Sequence, residues 1–197
     1  MPNVIYIIIG VFSFLVAYSY DWLSLKNIPF AKQLAGLLAV GLNIYATVMV
    51  CISPAKFDVP FYFLVLGACL LPVSLSLLIY SLFIEIPFRS TYLKKGVGSK
   101  LITTGTYALT RHPGVLWLAL FYLSLAMLFP STTLFLAITL WLIMDSIYVI
   151  MQDRIFFIRM FLDYNSYRRR TPFLIPTKQS ILACFKTINS RDKTKKV

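Results

Sequence analysis

Charge is scarce in this sequence. Only 13% of its 197 residues are Asp, Glu, Lys or Arg, against about 25% in a soluble domain. Histidine occurs once, at His112, and cysteine three times, at Cys51, Cys69 and Cys184. A single histidine excludes a multi-histidine metal site. The wide cysteine spacing excludes a CxxC site, and three cysteines cannot form a disulfide scaffold. There is no GxxxxGK[ST] loop and no nucleophile elbow, so phosphate-loop and serine-hydrolase chemistry lack support. Gly96-Val97-Gly98 is a lone GxG and reads as a flexible loop. Regular polar–apolar alternation is also missing, which argues against a lipid-facing barrel.

Apolar surface is what the chain has in excess. It is 59% hydrophobic, with a mean hydropathy of +0.78. A water-soluble fold of this size could not bury so much, and a disordered chain would not carry it. Four long stretches hold no charge: 1–20, 33–55, 59–84 and 113–144. A membrane-crossing helix needs about 20 apolar residues, so each of the first three fits one crossing. The fourth is too long for one helix and is interrupted by Phe129-Pro130-Ser131-Thr132-Thr133, a turn signal. It splits into a hairpin with arms near 114–129 and 132–151. The expected fold is an all-α integral membrane protein with about five transmembrane helices, including a C-terminal helical hairpin. Pro72, inside the third stretch, is read as a tolerated kink.

The basic residues set an expected orientation. Lys and Arg number 19 against 7 Asp and Glu, a net charge of +12. With the N-terminus outside, 18 of the 19 fall on one side, which is then the cytoplasm, and the C-terminus is cytoplasmic. The first helix lacks the basic leader of a cleavable signal and is expected to be retained. The expected location is a membrane crossed several times, the plasma (inner) membrane if the source is bacterial. Residues 1–84 have a net charge of +1 and read as a three-helix membrane anchor. Residues 85–197 have a net charge of +11. Within them, 85–176 reads as the catalytic region with the hairpin and a cytoplasmic helix. Residues 177–197 read as a basic tail, disordered over 186–197 and held by anionic lipid headgroups. In so apolar a chain the positive excess points to membrane surfaces, with no nucleic acid among the expected partners.

Three polar clusters lie in the back half. The first is Ser99-Lys100-Leu101-Ile102-Thr103-Thr104-Gly105-Thr106-Tyr107. The second is Arg111-His112-Pro113, where Pro113 suits a first helical position and sets Arg111 and His112 at a positive helix end that favours anions. The third is Gln152-Asp153-Arg154, then Tyr164, Tyr167, Arg168-Arg169-Arg170 and Thr171-Pro172-Phe173-Leu174-Ile175-Pro176. Arg168-Arg169-Arg170 is expected to meet lipid headgroups. Asp145 closes a long apolar run, so it is either functional, paired, or facing water at the interface. A helix running unbroken from Asp145 through Tyr167 is expected, with Phe156, Phe157, Met160 and Phe161 folding back or lying along the interface.

The stretch LITTGTYALTRHPGVLWLAL resembles the signature of the isoprenylcysteine carboxyl methyltransferase and phospholipid methyltransferase superfamily, with its Thr/Gly, Tyr and Arg-His-Pro. The superfamily's second block, an acidic pair, an aromatic helix, Tyr-x-x-Tyr and a Pro-x-x-Ile-Pro-like end, is similar to Gln152-Asp153, Tyr164-Asn165-Ser166-Tyr167 and Thr171 to Pro176. The resemblance spans about residues 96–176. It implies S-adenosylmethionine as cofactor at the cytoplasmic side of the last helices, and a lipid-like or prenylated acceptor entering from the bilayer. By the same resemblance, Ser99, Lys100, Leu101 and Ile102 would line the cofactor, and Tyr107, His112, Pro113, Gly114 and Val115 would complete its pocket. Gln152 or Asp153 would stand where the superfamily's glutamate meets the cofactor. Arg111 and His112 suit the cofactor's carboxylate, and an aromatic ring at Tyr107 suits its sulfonium. Arg111, His112 and Asp153 are the implied catalytic residues, and for an amine acceptor Asp145 or Asp153 would act as base.

Two other readings stand beside this one. Sterol reductases that use NADPH share the Arg-His-Pro and terminal Tyr/Pro blocks. A catalytically degenerate binding protein of the same fold is motivated by Val115, Trp117 and Gln152, which depart from the superfamily pattern.

Overall fold

The computed structural model describes residues 2–52, 56–86 and 101–194. Among them the chain is all-helical, with no strand beyond one isolated bridge between Lys56 and Ser131. Helix α1 (Pro2–Leu25) and α2 (Pro29–Cys51) form an antiparallel pair. The turn between them closes as a Schellman motif: Ile28 N–H donates to the Leu23 carbonyl (3.1 Å) and Asn27 N–H to the Ser24 carbonyl (3.2 Å). Asn27 takes the left-handed conformation (φ 55°) that asparagine tolerates, and Pro29 opens the next helix.

Helix α3 (Phe61–Ile79) contains Pro72 and ends in a π turn at Tyr80–Ile84. It lies along α5 (Pro113–Leu128), where Gly67 lets the backbones approach. A Cβ at Gly67 would come within 2.8 Å of Met127 Cβ. The short α4 (Thr106–Leu109) precedes α5. The Phe129-Pro130 turn leads to α6 (Thr132–Met151), whose start is capped by Ser131 Oγ accepting from Leu134 N–H (3.1 Å). The two arms of the expected hairpin are therefore present, within a residue of the expected bounds.

The packed centre joins α1, α2, α5 and α6 around Trp141 and Tyr122, both fully buried. Trp141 Nε1 donates to the Ile7 carbonyl (3.1 Å), and a Cβ at Gly10 would collide with the indole. Tyr122 donates to Asn43 Oδ1 (3.0 Å). Large apolar side chains such as Leu37, Ile44, Phe61 and Leu136 are exposed on the outside. In water that would be costly; in lipid it is not, and helix association there comes from close packing and such interhelical hydrogen bonds. Four helices are long and apolar enough to cross a membrane, Val4–Leu25, Pro29–Cys51, Phe61–Ile84 and Thr132–Met160. Pro113–Leu128 is apolar but shorter.

Three expectations are corrected. The helix beyond Asp145 is not unbroken. It continues through a π turn (Gln152–Phe156) and α7 (Phe157–Met160), stops near Phe161, and restarts as α8 (Tyr164–Arg170). Phe156 and Met160 are buried in the protein, not spread along an interface, because they fill the space beside Tyr18 and the cavity described below. The basic tail is helical as α9 (Lys178–Thr194). Thr177 and Ser180 cap it reciprocally, Thr177 N–H donating to Ser180 Oγ (2.9 Å) and Ser180 N–H to Thr177 Oγ1 (3.2 Å). The Gly105 N–H then ties α9 to the start of α4 through Thr187 Oγ1 (2.9 Å). Gly96-Val97-Gly98, Ser99 and Lys100 lie outside the described residues.

Candidate functional site

Antiparallel packing brings the end of α1, the start of α2, the end of α3, the start of α5 and the end of α6 to one end of the bundle. They enclose a cavity of about 390 Å³, inside the range of small-molecule sites. Leu101, Ile102 and Tyr107 line it from the loop and α4. Arg111, His112, Pro113, Gly114 and Val115 line it from the start of α5, and Gln152 from the end of α6. Asp153 and Trp117 are not among its lining residues.

Gln152 and Asp153 are neighbours on a helix, about 100° apart around its axis, and so face different ways. Asp145, Tyr148 and Gln152, at spacings of three and four, share the α6 face that lines the cavity. Asp153 lies off that face and is buried. There Asp153 Oδ1 meets Arg111 Nε (2.9 Å) and accepts from the Tyr164 hydroxyl (2.5 Å). Its Oδ2 meets Arg168 Nε (3.4 Å). His112 Nε2 lies 3.7 Å from Oδ1, an electrostatic contact too long for a hydrogen bond. Asp153 thus ties the starts of α5 and α8 to the end of α6. Arg168, expected at lipid headgroups, is drawn into this hub.

The hub is braced further. Arg111 donates through Nη1 to the Arg168 carbonyl (2.8 Å) and through its backbone N–H to Pro172 (2.9 Å). Tyr167 donates to the Tyr107 carbonyl (2.7 Å), and Tyr107 to the Ser81 carbonyl (3.2 Å). The His112 ring stacks on Phe157 and meets Phe173 edge-on. Burial holds the His112 imidazole below its ordinary value, and Asp153 only partly offsets this. Burial and the neighbouring Asp153 push the Tyr164 hydroxyl far up, so it stays a donor.

Several polar residues at this end were not singled out from the sequence. Asp21 of α1 is buried at 3% exposure and accepts from Gln152 Nε2 (2.8 Å). Lys32 of α2 is buried at 2% exposure, interacts electrostatically with Asp21 and sits 5.2 Å from the Tyr20 ring centroid. Glu85, after α3, accepts from both the N–H and the hydroxyl of Thr106 and so caps α4. Gly105 takes a positive φ (63°) there, and a Cβ on it would strike Glu85. A signal for these residues exists. Asp21, Lys32, Glu85 and Asp145 are each the charge bordering an uncharged run at the end where the runs converge.

Among the described residues no cluster of His, Cys, Asp and Glu could hold a metal ion. Compared with protein-family models, curated proteins and solved structures, the chain matches none.

Proposed function

We propose that this chain is an integral membrane methyltransferase that uses S-adenosylmethionine on a lipid-like acceptor. On this reading it crosses the membrane five times, with the N-terminus outside and the cavity near the cytoplasmic face. One observation carries it: segments of both motif blocks, 101–115 and 152–167, wall a single cavity that also reaches a carboxylate within an apolar helix, Asp145.

The cavity's residues suit the cofactor. His112 Nε2 is buried without a hydrogen-bond partner, and the rings of Tyr107, Phe157 and Tyr164 line the space around it. Arg111 and His112 would hold the cofactor's carboxylate end, and the aromatic rings its cationic centre. When bound, S-adenosylmethionine supplies an electrophilic methyl group and leaves as a neutral thioether. The chain's own task is positioning: holding donor and acceptor in line, which supplies about 7–11 kcal/mol in well-oriented reactions. The apolar Leu82, Leu118 and Val149 side of the cavity keeps water from the acceptor. Asp153, held by Arg111, Tyr164 and Arg168, is a positioning residue on this reading. Of the two carboxylates considered as base, only Asp145 lines the cavity.

The test is thermal unfolding of the full chain in uncharged detergent with S-adenosylmethionine or NADPH. Saturable stabilisation by the first alone, lost in His112→Ala, supports the reading. Stabilisation by NADPH alone replaces it with a reductase. The closed hub around Asp153 favours a second reading, a binding protein of the same fold without activity. Neither cofactor stabilising the chain would select it.

A further inference from the structure

We infer that the part of the cavity walled by α1, α2 and α6 is a binding subsite for a long-chain amine, whose ammonium group pairs with Asp145. Asp145 is 7% exposed and lines the cavity, and its Oδ2 is buried with no hydrogen-bond partner. No ion pair to it is formed among the described residues. An unmatched buried carboxylate oxygen is costly, and in a membrane helix such a group marks a partner still to come.

The neighbours decide what that partner is. Asp21, the other carboxylate on this wall, is already satisfied by Gln152 and opposed by Lys32. Lys32 is in turn engaged with Asp21 and Tyr20, and Arg111 with Asp153. Lys32, the basic side chain on this wall, is therefore committed and not left to hold a phosphate. A carboxylate without a cation, beside committed cations, selects a positively charged donor that brings no anion of its own. The rings of Tyr20 and Tyr148 can flank that charge. Leu78, Leu82 and Leu118 offer an apolar wall to a hydrocarbon chain. If the methyl-transfer reading holds, the amine occupies the acceptor position, but its binding rests on Asp145 alone.

The experiment titrates the full chain, in nanodiscs of zwitterionic lipid, with dodecylamine, dodecanol and dodecanoate, following tryptophan fluorescence. The expected result is saturable binding of the amine at least tenfold tighter than of either analogue. Asp145→Asn should abolish that preference and leave dodecanol binding unchanged. Equal binding of the three probes, or an unchanged preference in Asp145→Asn, overturns the subsite. Should the variant fail to fold, modification of wild-type Asp145 by a hydrophobic carbodiimide, read by mass spectrometry, decides instead. Dodecylamine should slow it and dodecanol should not, and equal rates overturn the proposal. S-adenosylmethionine titrated into the same samples separates the two claims. Amine preference without cofactor binding keeps the subsite and removes the methyl-transfer reading; cofactor binding without amine preference does the reverse.

Discussion

At the end where α5 turns into α6, and down to Trp141, buried side chains pack into one cluster. Trp141, Tyr122, Leu134 and Val50 are fully buried, and the few polar groups, such as Trp141 Nε1 and the Tyr122 hydroxyl, find partners. At the opposite end the same helices splay around about 390 Å³ of space bordered by Asp21, Lys32, Arg111, His112 and Asp145. One end achieves close packing; the other keeps charged groups buried beside a void. A membrane bundle held by packing does not need the second arrangement for stability, and the proposed function assigns the void and its charges to a ligand.

That contrast can be broken most sharply at the packed end. Trp141→Ala should cost about 3–5 kcal/mol, the range for a large buried aromatic, seen as a lower Tm. Cofactor or amine affinity of the protein that remains folded should be unchanged. Asp153→Asn comes next. Removing one partner from a buried ion hub costs about 3 kcal/mol, and here ligand affinity should fall too, because Arg111 loses its hold. If Trp141→Ala weakened ligand binding as much as Asp153→Asn does, the two ends would not be separate.

Acidification should touch the cavity end alone. Burial keeps the folded-state His112 below its ordinary 6.5. The unfolded chain therefore binds the proton first, so stability from this group is complete above about pH 6.5. It declines as pH falls towards the folded-state value. His112→Gln should flatten that part of a Tm-against-pH curve, a smaller effect than loss of the hub. The smallest effect expected is Tyr122→Phe, which removes the hydrogen bond to Asn43 at the packed end. About 0.6 kcal/mol is the average for such bonds between membrane helices, measured as a small shift of Tm with ligand binding intact.

Much of the fold was legible because lipid imposes a simple rule. Uncharged runs bounded by charges became helices, and the Phe129-Pro130 interruption became the hairpin turn. The tail was misread because composition alone marked 186–197 as polar and basic. The Thr177–Ser180 cap and the Thr187 contact to Gly105, which make it helical, depend on local and tertiary partners. The site was legible in its motif half, Leu101 to Val115 with Gln152, and not in its front half. Asp21 and Lys32 lie far from the motifs in sequence and reach the cavity only because α1 ends, and the antiparallel α2 begins, at the end of the bundle where α6 ends.

The sequence by itself determined where the long apolar helices run and that their charges gather at one end, since a charge deep in hydrocarbon is too costly to scatter. Only the tertiary structure decided that Gln152 meets the cavity while Asp153 is held by Arg111, Tyr164 and Arg168, and that Asp145 Oδ2 has no hydrogen-bond partner among the described residues. Those facts depend on side chains brought together from helices distant in sequence, and no periodicity along the chain encodes such distances.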